Sequence, residues 1–313
     1  MRGWGWGVLL LMTAFMPGQL AGEPDPTQGY RALLWKHLEA LCAMGPRYPG
    51  SAGHAQTRAY IRDIAERYAD SWKEQAFVAR VGYAGELPLY NYELTFKGTG
   101  RTGHTGGSDD SPPILLGAHY DTRPFADEET DPEKQEQPIV GANDGGSGTA
   151  ILLGMAQYLH ENPPERPVKL VFFDGEDYGR RGSDEYFLGS SYYAEQLKQE
   201  DPSTWPARVL VVDMVGKKDV KIFKEVYSFR NAPGFLDTIY KVAEDLGNTQ
   251  FVPMLRYSVR DDHLPFIYLK IPSVLLIDFD YPYWHTLEDT LDKCSPDSLL
   301  GVFEVVVETL KRV

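Results

Sequence analysis

The chain has 313 residues, of which 42% are apolar and 24% charged, and this composition excludes a disordered, collagen-like or coiled-coil protein. Asp and Glu number 45 against 31 Lys and Arg, and the net charge of -14 disfavours nucleic acid as a partner because an acidic chain repels phosphates. With only Cys42 and Cys294, neither a disulfide framework nor a cysteine-based zinc site is expected, and whether these two cysteines pair stays open.

The N-terminus has the pattern of a secretory signal peptide. A short basic start precedes an apolar run over residues 4–16, and the small residues Ala21 and Gly22 follow it. The run is shorter than the roughly 20 apolar residues of a membrane-spanning helix. We therefore predict a signal peptide over residues 1–22, a single catalytic domain over residues 23–313, a secreted or periplasmic location and no stable membrane insertion after cleavage.

The first part of the predicted domain contains two helices and two strands. Residues 28–43 carry apolar side chains at helical spacing, and Ser51 is placed to cap a second helix that ends near Tyr68. Two runs in which apolar and polar residues alternate, at 75–82 and 89–96, are predicted strands.

The rest of the chain alternates between short apolar strands and helical stretches. Strands are predicted at 114–118, 168–173, 209–212 and 273–277, and helices at 147–160, 186–197, 233–246 and 297–311. Continuous apolar strands separated by helices are typical of a parallel sheet that is covered on both faces. We predict one α/β domain with a mixed, mostly parallel central sheet and helices on both faces. The acidic stretch 127–137 is expected to be a solvated loop.

Polar residues follow the predicted strands, at the edge of the sheet where such folds bind ligands. They are His119, Asp121, Asp144, Asp174, Glu176, Asp177, Asp213 and His285. A set of His and carboxylate groups without a thiolate suits Zn²⁺ in an open, catalytic site. The adjacent pair Glu176 and Asp177 allows one carboxylate to bind the metal while the other transfers a proton.

Each of these residues also has a structural explanation. A single His such as His119 is more often a structural residue, Asp144 could cap the following helix, and Asp213 could end a strand. Together they are better explained by a site, because chance rarely places so many ionisable groups at one sheet edge. A serine nucleophile elbow and a phosphate-binding P-loop are both disfavoured, since residues 145–149 lack the final Gly of the elbow and the chain has no Gly-Lys-Ser/Thr motif.

Several segments resemble the M28 family of zinc aminopeptidases and, in the same clan, the type II glutaminyl-peptide cyclotransferases. The similar segments occur in family order and are residues 117–121, 140–144, 172–177, 212–216, 261–266 and 284–286. The similarity extends over roughly residues 28–312, and it implies an M28 aminopeptidase-like fold for the whole predicted domain.

The resemblance also implies a ligand set for zinc. Asp144, Asp177 and His285 would bind the metal, although Asp177 stands where the family more often has Glu. In the dinuclear aminopeptidases, His119 would complete a second site, Asp144 would bridge the two ions and Asp213 would be a further ligand. One zinc ion is therefore expected for a cyclase and two for an aminopeptidase.

The catalytic roles are implied in the same way. Glu176 would be the general base and acid, Asp213 and Asp261 would form a carboxylate network near the substrate amine, and Trp284 would wall a small pocket for a glutamine side chain. The Asp-Asp-His sequence at 261–263 and the Trp directly before His285 favour the cyclases. Against them, the strand 274–277 lacks a His that many cyclases carry there, and the cyclase disulfide near the metal is missing.

We therefore predict a zinc-dependent enzyme that converts the N-terminal Gln of peptides or proteins to pyroglutamate with release of ammonia. Its partners would be peptide or protein N-termini, and it would act as a monomer. The main alternative is an M28 zinc aminopeptidase that hydrolyses N-terminal residues. A further alternative is a non-catalytic binding domain that has kept the fold, which the filled ligand and base positions disfavour.

Overall fold

The structure is a computed structural model that describes Met1, residues 29–100 and residues 111–313. Apart from Met1, the predicted signal peptide at 1–22 lies outside the described residues, so its cleavage stays a prediction. No helix among the described residues is long and apolar enough to cross a membrane.

The described residues form eight strands, most of them in one sheet. The strands are β1 (Ser71–Val81), β2 (Gly85–Phe96), β3 (Ile114–His119), β4 (Val168–Phe173), β5 (Arg208–Asp213), β6 (Ile222–Lys224), β7 (Phe251–Leu255) and β8 (Ser273–Ile277). The six-stranded sheet has the order β1-β2-β4-β3-β5-β8, in which β4, β3, β5 and β8 are parallel and β1 and β2 are antiparallel to their neighbours. β6 and β7 form a separate parallel pair. The predicted mixed, mostly parallel sheet is confirmed.

The helices lie on both faces of this sheet. They are α1 (Tyr30–Ala43), α2 (Ala52–Tyr68), α3 (Gly146–Glu161), α4 (Leu188–Leu197), α5 (Val226–Asn231), α6 (Pro233–Asp245), α7 (Leu264–Tyr268) and α8 (Pro296–Arg312). Neighbouring strand residues belong to different cores because successive side chains of a strand point to opposite faces. Leu116 of β3 packs in the core that includes α1, α3 and α8, and Leu115 packs in the core that includes α4 and α7.

The burial of each strand explains why the sequence predicted the sheet. Every residue of the inner strand β3 is buried, and so is every residue of β8 although it lies at one edge of the sheet, which indicates that both strands are covered on both faces. The edge strand β1 instead alternates between exposed and partly buried residues. The long helices α1, α2, α3, α6 and α8 match their predicted ranges within two residues, and the Ser51 hydroxyl accepts a hydrogen bond from His54 N at 3.0 Å as a helix cap.

Four short elements were not predicted, namely β6, α5, β7 and α7. They have three to six residues each, which is too short for a hydrophobic period to emerge, and three residues of β7 are exposed. The two antiparallel strands also begin about four residues before their predicted starts, because their pairing in a hairpin extends the strands beyond the apolar runs.

The two cysteines are free thiols in the described part of the chain. Burial raises the pKa of Cys42 to about 11 and the pKa of Cys294 well above its ordinary value. Neither thiol is therefore a reactive thiolate at neutral pH.

We predict that Gly148→Ala destabilises the protein by about 1–3 kcal/mol, because α3 approaches β5 too closely to accept a side chain. A Cβ at Gly148 would lie 2.2 Å from the carbonyl oxygen of Val212. Urea unfolding monitored by circular dichroism measures the change. Gly234→Ala in α6 is the matched control, since a Cβ there meets no described atom within 4 Å, and its stability should be unchanged or slightly higher. Equal stability of the two variants would contradict the prediction.

Candidate metal centre

The residues predicted as metal ligands, catalytic groups or pocket wall lie at one edge of the sheet, in or beside the lining of a cavity of about 470 Å³. Asp174 is not among them, since its carboxylate contacts His54 Nε2 at 3.0 Å. The strands β3, β4, β5 and β8 run in the same direction, so the segments that follow them meet there. The predicted site residues that line the cavity are Asp144, Glu176, Asp177, Asp213, Asp261, Trp284 and His285. His119 at the end of β3 is buried beside them and does not line the cavity, with 2% of its surface exposed.

The first group of candidate ligands consists of Asp144, Asp177 and His285. His285 Nε2 lies 3.2 Å from Asp177 Oδ1 and 3.5 Å from Asp144 Oδ2. A tetrahedral zinc ion with bonds of about 2.0–2.1 Å separates its ligand atoms by about 3.3 Å. Among the described residues, Asp177 Oδ2 is buried without a hydrogen-bond partner, which is costly unless a cation is bound nearby. The spacing and the donor set fit zinc.

A second group of candidate ligands shares Asp144 with the first. His119 Nε2 lies 3.2 Å from Asp144 Oδ1 and 3.1 Å from Asp213 Oδ1. The two oxygens of Asp144 thus face two different imidazoles, His119 on one side and His285 on the other. Both groups have the spacing of a metal site, and the geometry accommodates either one ion or two that are bridged by Asp144.

The carboxylates around the two candidate metal sites are negatively charged and raise the pKa values of the imidazoles of His119 and His285. Burial alone would lower the pKa of His285, but the charge of Asp177 and a hydrogen bond to Asp127 raise it to about 9. Burial likewise opposes the hydrogen bonds to Asp121, Asp144 and Asp213, which raise the pKa of His119 well above its ordinary value. A metal ion binds an unprotonated ring nitrogen, so protons and a metal ion would compete for these two imidazoles.

Glu176 extends from the turn after β4 and is partly exposed to the cavity. Burial raises the pKa of Glu176 well above its ordinary range, and the charges of Asp177 and Asp261 raise it further against the opposing effect of His119. Its backbone N–H and that of Asp177 donate to the two oxygens of Asp121, at 3.1 and 3.3 Å. A carboxyl with a raised pKa that is held rigidly beside a metal site suits proton transfer.

Two further carboxyls complete the acidic wall. Asp213 ends β5, and Asp261 precedes α7 and is 3% exposed. Burial and the charges of Asp213 and Asp262 raise the pKa of Asp261 well above its ordinary value. The oxygens of both carboxyls can accept a hydrogen bond from an amine that enters the cavity.

An aromatic wall faces these carboxyls. The indole of Trp284 stacks on the imidazole of His285, with ring centroids 3.7 Å apart and 29° between the planes. Phe279 packs against Trp284 at 5.2 Å. Three residues that line the cavity, Phe187, Met214 and His285, have φ values of 55°, 46° and 54°, which are rare for side chains of this size. Such strained residues concentrate at functional sites, where the surrounding structure holds them in place.

Three carboxylates that support the site were not assigned a role from the sequence. Asp121 holds the turn of Glu176 and Asp177, and Asp289 accepts hydrogen bonds from Asn143 N and Asp144 N, at 2.9 and 3.1 Å. The prediction that residues 127–137 are a solvated loop is wrong for Asp127, since one of its oxygens lies 3.4 Å from His285 Nδ1. These contacts join residues that are distant in the chain, so no local feature of the sequence predicts them.

Two buried arginines also belong to the surroundings of the site. The guanidinium of Arg47 donates to the carbonyl oxygens of Tyr120, Val140 and Gly141, at 3.1, 2.8 and 2.7 Å, and so ties the loop before Asp144 to the end of β3. Arg123 is hydrogen-bonded to Asp127 and Asp177. A sequence shows that an arginine is present, but burial of its charge is decided by the fold.

Comparisons with known proteins agree with this geometry. Residues 102–310 match the model of peptidase family M28. The glutaminyl-peptide cyclotransferase of the snake Boiga irregularis is 27% identical over 299 residues, which cover 83% of this chain and 76% of that protein.

Two solved structures have similar folds. Glutaminyl cyclase of Tannerella forsythia has a TM-score of 0.81 and 28% identity, and a Zn-dependent exopeptidase of Parabacteroides distasonis has a TM-score of 0.82 and 27% identity. Each similarity covers 90% of this chain and 98% of the other. The match to the family model extends over two thirds of the sequence and includes the two groups of candidate ligands, and the chain therefore belongs to peptidase family M28.

Proposed function

We propose that this protein is a zinc-dependent glutaminyl-peptide cyclotransferase, which converts an N-terminal Gln to pyroglutamate and ammonia. The observation that carries the proposal is that one small cavity has both an aromatic wall and an acidic wall. Trp284 stacks on the candidate ligand His285 on one side, and Glu176, Asp213 and Asp261 form an acidic wall that suits an amine. Relatives that are named glutaminyl-peptide cyclotransferase or glutaminyl cyclase support it.

The reaction joins the α-amine of the substrate to the carbon of its own γ-carboxamide and expels ammonia. Zinc, when bound by Asp144, Asp177 and His285, supplies Lewis acidity to the carboxamide carbonyl. Glu176 accepts a proton from the attacking amine and returns it to the departing ammonia, which its raised pKa favours. Since both reacting groups belong to one residue, a bound pose close to the reaction geometry supplies much of the rate.

The remaining residues orient the substrate and exclude water. Asp213 and Asp261 accept hydrogen bonds from the α-amine and direct its lone pair towards the carboxamide. The Trp284 indole covers the glutamine side chain and keeps bulk water away, which matters because hydrolysis competes with cyclisation. His119 Nε2 lies 3.1 Å from Asp213 Oδ1, so in a mononuclear enzyme it would orient this carboxylate rather than bind zinc.

The second candidate function is an M28 aminopeptidase that hydrolyses N-terminal residues. One observation favours it, namely the complete second ligand group of His119, Asp144 and Asp213. With two ions bound, Asp213 would be a ligand and would no longer be free to orient an amine. We propose one zinc ion, in the group that contains His285, and the number of ions separates the two functions.

The proposal includes export and a monomeric state. Cleavage of residues 1–22 would release a catalytic domain over residues 23–313, secreted or periplasmic, that acts on peptide or protein N-termini. N-terminal sequencing of the mature protein tests the cleavage, and a product that begins with Met1 would contradict it.

The direct test of the function is mass spectrometry of a Gln-initiated peptide incubated with zinc-loaded protein. We expect the peptide to lose the mass of ammonia while a Leu-initiated control peptide stays intact. Shortening of either peptide by its first residue would instead establish the aminopeptidase, and no change in either peptide would contradict both functions.

We predict that Glu176→Gln keeps the bound zinc but lowers kcat at least 100-fold, because the amide has the size of the carboxylate and cannot accept the proton. Zinc content by elemental mass spectrometry and pyroglutamate formation measure the two properties. Asp184→Asn at the exposed rim of the cavity is the control and should retain its zinc. Turnover of the Glu176→Gln variant near the unmodified rate would remove Glu176 from the proton-transfer role.

We predict that Asp144→Asn abolishes zinc binding, since Asp144 belongs to both ligand groups, whereas His119→Gln retains one equivalent. Elemental analysis after dialysis against a weak chelator gives the zinc content of each variant. If the unmodified protein binds two equivalents and His119→Gln binds one, the single-zinc proposal is wrong. Stoichiometric zinc in Asp144→Asn would show that the ligand set itself is wrong.

A further inference from the structure

Arg123 is a buried guanidinium that contacts two carboxylates at once, and only 1% of its surface is exposed. Its Nε and Nη2 donate to the two oxygens of Asp127, at 2.7 and 2.6 Å, which is a bidentate geometry. Its Nη1 donates to Asp177 Oδ1 at 2.9 Å and to the carbonyl oxygen of Asp177 at 3.1 Å. The guanidinium therefore fixes both the side chain and the backbone of a candidate metal ligand.

Asp127 connects Arg123 to the second candidate ligand, His285. The oxygen that accepts from Arg123 Nε, Oδ1, also lies 3.4 Å from His285 Nδ1. Across the site, His285 Nε2 lies 3.2 Å from Asp177 Oδ1. Asp177, Arg123, Asp127 and His285 thus form a closed ring of polar contacts, and the gap between Asp177 and His285 is where a zinc ion would be bound.

We propose that Arg123 and Asp127 are positioning residues that hold Asp177 and His285 at the spacing and orientation required for zinc. This inference depends on the metal site of the proposed function and not on which reaction the site performs. Neither residue reaches the metal itself, since Arg123 has no lone pair to offer and Asp127 faces the opposite ring nitrogen of His285.

The role of Asp127 follows from the chemistry of imidazole. A neutral ring that donates its Nδ1 hydrogen to Asp127 has its lone pair on Nε2, the atom that faces Asp144 and Asp177. The carboxylate therefore selects the tautomer that binds a metal and prevents rotation of the ring. It also makes the imidazole a stronger donor, as in other carboxylate–histidine–zinc sites.

The role of Arg123 follows from charge and reach. Asp127 and Asp177 both accept hydrogen bonds from the guanidinium of Arg123, whose positive charge offsets the repulsion between the two carboxylates. Asp177 has a short side chain, so its position depends on the turn that carries it, and Arg123 holds that turn through the carbonyl oxygen. A lysine would keep the charge but would lose the fork that contacts both carboxylates.

The test is the zinc affinity of D127N and R123K, measured by competition with a chromogenic chelator in the absence of substrate. We expect each variant to bind zinc roughly 10–100-fold more weakly than the unmodified protein. The double variant should lose no more zinc affinity than the weaker of the two single variants, because each substitution alone already breaks the same ring of polar contacts. The matched controls are R180K and E136Q, which alter an exposed bidentate pair and should bind zinc within twofold of the unmodified protein.

A second readout separates positioning from stability alone. With Co²⁺ in place of zinc, the visible absorption spectrum reports the ligand geometry, and we expect it to change in D127N and R123K but not in the controls. Circular dichroism verifies folding, and if R123K does not fold, D127N decides because it preserves the size of the side chain. Unchanged zinc affinity and an unchanged Co²⁺ spectrum in folded D127N would overturn the proposal. Failure of the unmodified protein to cyclise Gln would overturn the proposed function and leave this inference intact.

Discussion

Repulsion among buried carboxylates is the constraint on which the rest of the site depends. Asp144, Asp177, Asp213 and Asp261 are all buried at the same sheet edge, with Glu176 beside them. Such a cluster is stable only if protons, cations or hydrogen-bond donors compensate its charge. The raised pKa values of His119, Glu176 and Asp261 are in the direction of the first kind of compensation. A divalent cation between the candidate ligands would provide the second kind.

The third kind comes from backbone and side-chain donors that the fold places behind the ligands. The N–H groups of Glu176 and Asp177 point at Asp121, and those of Asn143 and Asp144 point at Asp289. The loop before α3 can turn so tightly because Gly145 has a φ of 76°, and a Cβ there would lie 2.4 Å from the carbonyl oxygen of Asp121. The backbones of the candidate ligands Asp144 and Asp177 are thus held in place by these hydrogen bonds, which would lower the entropic cost of binding a metal ion.

The same geometry is compatible with both proposed functions, hydrolysis and cyclisation. The two oxygens of Asp144 face His119 and His285, so the candidate ligands could hold one ion or two. In our proposal, the role of Asp213 separates the two chemistries. As a metal ligand it would help to hold a second ion for hydrolysis, and as a free carboxylate beside Asp261 it would orient an amine. Its hydrogen bond to His119 is compatible with either role.

Much of this could be predicted from local features of the sequence. The parallel strands β3, β4, β5 and β8 are short apolar runs and the long helices have clear periods, so the strand-and-helix order and the layered fold follow. His119, Glu176, Asp177 and Asp213 end or follow strands, which is sufficient to place them at the carboxyl edge. The resemblance of several segments to M28 enzymes, which the family match confirms, added the ligand roles that remain proposals.

Only the tertiary structure decided which groups touch. The strand order β1-β2-β4-β3-β5-β8 depends on contacts between residues far apart in the chain, and so does the ring of Arg123, Asp127, Asp177 and His285. Asp127 lies in a stretch whose composition is that of a solvated loop, and its contact with His285 has no local sequence signal. Periodicity and motif spacing report the local environment of a residue. The pairing of charged residues that are far apart in the chain depends instead on how the whole domain packs, which is the sum of many weak contacts and leaves no pattern in the sequence.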